Sequence, residues 1–147
     1  MRISAAGNKA RQSGFTLLEL LVVVSIIAIA SAGVALSLRD SAETQIEREA
    51  QRLAALLESA RAQSRARGVA VVWRTVGTGF QFDGLPKGTL PGNWLDRSTV
   101  APEDSRLELG PEPIIGAQSV TLGNMQATGP RWRVSTDGLH PFTVSPP

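Results

Sequence analysis

The chain of 147 residues contains no cysteine. Disulfides and thiolate metal sites are therefore excluded, and any fold must be held by packing and hydrogen bonds alone. The only histidine, His140, precedes Pro141, so no pair of imidazoles can share a metal. No serine lies in a nucleophile-elbow pattern, and the scattered carboxylates show no catalytic pairing. Neither an enzyme nor a cofactor is expected. Proline is absent before Pro86, so nothing forbids a long helix in the first half. Acids are missing from residues 1–18, where Arg2, Lys9 and Arg11 lie. Charge then nearly disappears: Glu19 is the only charged residue among the 24 from Phe15 to Leu38.

That apolar run dominates the chain. At about 1.5 Å per helical residue it reaches roughly 36 Å, enough to cross a hydrocarbon core of about 30 Å. Basic residues beside a span stay in the cytoplasm, so the expectation is a cytoplasmic N-terminus and a head on the far side. The formal net charge of +2 is partly the leader's. Without the three basic residues before Phe15, 12 basic residues face 13 acidic ones, a net of −1. The basic balance is thus poor evidence for nucleic-acid binding.

Two processing routes fit the run. An ordinary secretory signal would be cut after Ala30 or Ala32, where Ala28-Ile29-Ala30 and Ala30-Ser31-Ala32 supply small-residue patterns. The other route cuts between Gly14 and Phe15 and keeps the whole helix. Glu19 favours the second. A carboxylate in hydrocarbon costs a few kcal/mol, so it hinders a disposable signal but can be matched to a cation in a retained helix.

Gly14-Phe15-Thr16-Leu17-Leu18-Glu19-Leu20 resembles the class III signal of type IV pilins and type II secretion pseudopilins. The resemblance implies cleavage after Gly14 by a prepilin peptidase and methylation of the new Phe15 amine. It also implies that Glu19 pairs with the Phe15 amine of a neighbouring subunit during assembly. Pairing makes physical sense, because two opposite charges are tolerated in a dry site only together. Many pilins carry a proline about two thirds along this helix; here that place is Leu36, with Gly33 the nearest flexible position.

Beyond Leu38 the helical rhythm persists. Ala42, Ile46, Ala50, Leu53, Leu57 and Ala60 form one apolar stripe, expected to pack on a sheet. Glu43, Glu47, Arg48, Arg52, Glu58, Arg61 and Arg65 lie largely off it, and Arg61, Arg65 and Arg67 read as a solvated helix end. Gly68 is a natural stop. The helix is expected from Phe15 to Arg67.

From Val69 the period becomes two. Val69, Val71 and Trp73, then Gly77-Thr78-Gly79, then Phe80 and Phe82 predict a hairpin. Residues 84–105, with three glycines and three prolines, read as a long loop that Trp94 pins to the core. Leu107 and Leu109, then Val120 and Leu122, mark two more strands. Glu103, Asp104, Glu108 and Glu112 match no calcium loop and read as solvated surface. Trp132 and Val134 face one way on a last hairpin, Arg131 and Arg133 the other, with the turn at Asp137-Gly138.

This ending resembles that of the H-type minor pseudopilins of type II secretion, the GspH/FimT family. The expected fold class is α+β: a pilin-like long N-terminal helix, its first half transmembrane, packed on an antiparallel β-sheet head. The expected segments are a leader at 1–14, a transmembrane and assembly helix at 15–38, its amphipathic continuation at 39–67 and a periplasmic head at 68–147. The resemblance implies a minor pseudopilin of the inner membrane whose partners are other pseudopilins, the prepilin peptidase and an inner-membrane assembly platform. The alternative is a FimT-like minor pilin of a type IV pilus that touches DNA through Arg131, Arg133 and Trp132. A major pilin fits less well, since those commonly carry a C-terminal cysteine pair.

Overall fold

A computed structural model describes residues 16–125 and 131–146, with the side chains of 35–41 left aside. Contacts divide the chain into two units, Met1–Ser37 and Leu38–Pro147. Helix α1, Leu17–Arg67, supplies the described part of the first unit and the opening of the second. It begins as its sequence directs: the Thr16 hydroxyl oxygen accepts the Glu19 N–H at 3.2 Å, an N-cap. It ends at Gly68, whose φ of 65° is the left-handed conformation that suits glycine. The Ser64 hydroxyl donates to the Val69 carbonyl at 2.6 Å and ties the exit down.

In the second unit the chain continues as β1 (Val72–Val76), β2 (Gly79–Asp83), β3 (Thr99–Val100), β4 (Arg106–Glu108), β5 (Gln118–Asn124), β6 (Trp132–Thr136) and β7 (Thr143–Ser145). Two antiparallel sheets result, ordered β2-β1-β4 and β3-β5-β6-β7. Trp73 stands opposite Phe82 on one side and Leu107 on the other. Val134 stands opposite Val120 and Val144. This is the α+β pilin-like layout the alternation implies. The sheets are bridged by one side chain. Gln118 accepts the Glu108 N–H at 2.8 Å and donates to the Glu108 carbonyl at 2.6 Å, imitating a ladder pair at the edge of β4.

The core joins the helix stripe to both sheets. Ile46, Ala50, Leu53, Leu57 and Ala60 are buried with Trp73, Phe80, Leu107, Leu109, Leu122 and Val134. Each large side chain removed from water contributes about 1.5–3 kcal/mol. Of the expected stripe only Ala42 is half-exposed.

Three expectations need correction. Arg61 is not solvated: it is 2% exposed, beneath the last turns of the chain. The segment 84–105 is not all loop, because Thr99 and Val100 pair with Asn124 and Gly123 as β3. Two-residue strands carry too little alternation to register in a sequence. Val69 does not join the inward face; it is exposed, because residues 68–71 are still leaving the helix and β1 starts at Val72. Trp94 does pin its loop, packing on Phe80 with ring centroids 4.5 Å apart.

Candidate functional site

The apolar segment from Leu17 to Val34 is long and uncharged enough to cross a membrane, and its residues are exposed among the described residues. Its leucines, valines and isoleucines are exposed, so their cover must come from lipid or from other chains. The Ser25 hydroxyl donates to the Leu21 carbonyl at 2.8 Å, which satisfies that hydroxyl within the apolar segment. Glu19 lies in the first turn, where the helix dipole favours a negative charge, and its side chain is exposed. Gly14 and Phe15, the expected cleavage and methylation positions, lie outside the described residues. Thr16 is an addition to the site. Thr-x-x-Glu before an apolar run is the capping-box pattern, a signal present in the sequence but absorbed into the larger motif.

The head carries no comparable centre. Among the described residues no group of three His, Cys, Asp or Glu is placed to hold a metal. Glu103, Asp104, Glu108 and Glu112 are all exposed. His140 makes a 2.7 Å contact from Nδ1 to Asp137 Oδ2. Asp137 Oδ1 accepts the backbone N–H of Leu139 and of His140 at 2.9 and 2.8 Å. The His140 backbone and ring bonds, with the Leu139 N–H, hold the Asp137 carboxyl well below the usual carboxylate range. The arrangement fixes a turn; it presents no activated nucleophile.

Two buried charges brace the head instead. Arg61 donates to the carbonyls of Gly138, His140 and Pro113 at 2.7, 3.3 and 3.4 Å, and its partner Glu58 accepts the Phe142 N–H at 2.9 Å. Glu49, also 2% exposed, accepts Arg52 Nη1 and the Leu95 N–H at 2.8 Å each, and the Asp96 N–H at 3.4 Å. Helical periodicity alone conceals both, because each lies at the margin of the apolar stripe.

Arg131 and Arg133 extend from the outer face of the second sheet and are exposed, whereas Trp132 is part of the inner face and packs against the core. The structure therefore separates the two arginines from the tryptophan. Across that outer face Arg133 has Thr121 and Ser145 as strand neighbours, and Ser135 has Ser119 and Thr143. Hydroxyls and guanidinium groups occupy these rows, with no acid.

Residues 9–35 match the family model described as the prokaryotic N-terminal methylation motif. The match contains Gly14, Phe15, Thr16 and Glu19, and the whole of the segment Leu17–Val34 that is able to cross a membrane. The motif marks type IV prepilin-like proteins, and implies processing by a prepilin peptidase and assembly with other pilin-like chains. No curated protein and no solved structure matches the chain.

Proposed function

We propose that this chain is a minor pseudopilin of a type II secretion system, a non-enzymatic subunit of the periplasmic pseudopilus that drives export of folded proteins across the outer membrane. The observation that carries this reading is Glu19, a lone carboxylate five residues after the Gly14–Phe15 junction, in a helical segment apolar and long enough to cross a membrane. Cleavage after Gly14 frees the Phe15 amine, the prepilin peptidase methylates it, and the amine of one subunit neutralises Glu19 of the next. Pairing removes the cost of an isolated charge in hydrocarbon, so helices leave lipid and pack against one another only in register. The heads then form the filament surface in the periplasm. The N-terminus stays cytoplasmic, and the inner-membrane assembly platform and the other pseudopilins are the partners.

The test is Glu19→Ala. The variant should still be cleaved and inserted, but should enter cross-linked assemblies poorly. Normal assembly would remove the charge-pairing role.

A second reading, a FimT-like minor type IV pilin contacting DNA, is supported by the acid-free outer face of β5–β6–β7. Phosphate contact there would come from Arg131 and Arg133 without base stacking by Trp132, which is turned inward. Salt-sensitive binding of duplex DNA in a gel shift, lost on joint replacement of Arg131 and Arg133 by alanine, would favour it over the secretion role.

A further inference from the structure

We propose that a cavity in the head, between the β1–β2 turn and the segment 94–104, binds a small zwitterion of the dipeptide class. The cavity measures about 450 Å³ and lies wholly within the second unit. That volume is in the range of small-molecule sites. Trp94 and Thr99 are buried and form its inner wall, with half-buried Val100 beside them. Arg97, Glu103 and Asp104 are exposed and form its rim.

Two features of these residues point to a ligand. The first is the Thr99 hydroxyl. Thr99 is 2% exposed, and its Oγ1 is buried with no hydrogen-bond partner. A hydroxyl kept from water in this way is costly, and a polar atom entering the cavity relieves the cost. The second feature is charge. The side chains of Arg97, Glu103 and Asp104 have no hydrogen-bonding or ion-pair partner among the described residues. The acid next to Arg97 is already engaged: Asp96 Oδ1 accepts the Ser98 N–H and hydroxyl, each at 2.8 Å. Opposite charges that share one cavity without meeting complement a ligand carrying both signs. Its carboxylate meets Arg97 and its ammonium meets Glu103 and Asp104. A simple anion is repelled by the two acids, and a simple cation by the guanidinium.

The acids are held in place by the fold. Glu103 and Asp104 are the central residues of a turn closed by the Ser105 N–H, which donates to the Pro102 carbonyl at 3.3 Å. The same carbonyl accepts the hydroxyls of Ser105 at 2.7 Å and of Thr75 at 3.3 Å, which ties the turn to β1. Asp104 has a φ of 59°, the left-handed conformation that favours glycine. An aspartate at this position keeps a carboxylate at the rim at a conformational cost. Trp94 and Val100 give the cavity an apolar side that accepts an aliphatic side chain. A dipeptide ending in leucine combines the ammonium, the carboxylate, an amide for the Thr99 hydroxyl and the aliphatic group. Cleavage and assembly of the chain play no part in this site, so its failure leaves the proposed function standing.

The test titrates full-length protein in detergent micelles with L-alanyl-L-leucine, followed by saturation-transfer NMR. N-acetyl-L-alanyl-L-leucine and L-alanyl-L-leucinamide serve as forms lacking one charge each. Half-saturation by the free dipeptide is expected at about 1 mM, the strength of an ordinary ligand of this size. Each blocked form should bind about fivefold more weakly, the effect of one exposed ion pair. Arg97→Gln should remove the preference for the free carboxylate and keep that for the free amine. Joint Glu103→Gln and Asp104→Asn should do the reverse. Thr99→Val should weaken all three forms alike. An unchanged melting midpoint by tryptophan fluorescence shows that each variant is folded. No saturation at about 20-fold the expected concentration, equal binding of free and blocked forms, or preferences that survive the charge variants would overturn the site. Binding that appears only with added calcium would assign the carboxylates to a cation and also overturn it.

Discussion

Replacing Arg61 by methionine tests the most consequential contact in the head. Methionine keeps the apolar stem and removes the guanidinium, which joins helix α1 to the turn after β6 and to the segment at Pro113. The loss is bounded by what each carbonyl retains. The His140 carbonyl still accepts the Thr136 hydroxyl at 2.7 Å, and the Pro113 carbonyl still accepts Arg65 at 2.9 Å. The Gly138 carbonyl keeps only a 3.4 Å bond from the Ile115 N–H, so it loses most. A hydrogen bond from a charged donor contributes about 1.5–3 kcal/mol, and the two longer bonds less. The Glu58 side chain is 34% exposed, so its 3.6 Å ion pair with Arg61 adds little after solvent screening. Arg61 Nε is buried with no partner, a standing cost that methionine relieves. The balance is a loss of about 2–4 kcal/mol, or a fall in Tm of roughly 8–16 °C for a unit of this size. Trp73, Trp94 and Trp132 all belong to the head, so tryptophan fluorescence of the detergent-solubilised full chain follows its unfolding alone. Arg61→Lys, reaching one carbonyl as a point charge, should lose about half as much. An unchanged or raised midpoint for Arg61→Met would refute the bracing role, as happens where buried ions are held at a net cost.

Two further perturbations follow from the same geometry. Glu49→Gln replaces one acceptor oxygen by a donor beside either Arg52 or the Leu95 and Asp96 N–H groups, so exchange of the Leu95 amide should quicken about 10- to 100-fold while β5 and β6 amides slow or hold; uniform protection would refute the brace. The Asp137 carboxyl is held below its unfolded range, so its contribution to the turn is full above about pH 4 and is lost as pH falls further. Amide exchange at Leu139 and His140, compared between the native chain and Asp137→Ala, should converge only in that acid range; convergence near neutral pH would contradict the assignment.

What the sequence disclosed and what it withheld divide along physical lines. The stripe from Ile46 to Ala60 was legible because burial on a helix repeats every three or four residues, and Val71, Trp73, Phe80, Leu107, Val120, Leu122 and Val134 because strand faces alternate. Glu49 and Arg61 were opaque. Composition places a charged side chain outside, and only the positions of Leu95, Gly138 and His140, far along the chain, make their burial tolerable. β3 was too short to show a period. In the membrane segment the situation reverses: Glu19 stood out because its surroundings are uniformly apolar, while its neighbouring cap, Thr16, is an ordinary side chain in an ordinary place.

The central claim is that the apolar helix is retained in a mature chain whose first residue is Phe15. Intact-mass and N-terminal sequencing of the protein from purified inner membranes tests it most directly. The account predicts a mature chain starting at an N-methylated Phe15, whereas a terminus at Ser31 or Gly33 would contradict it.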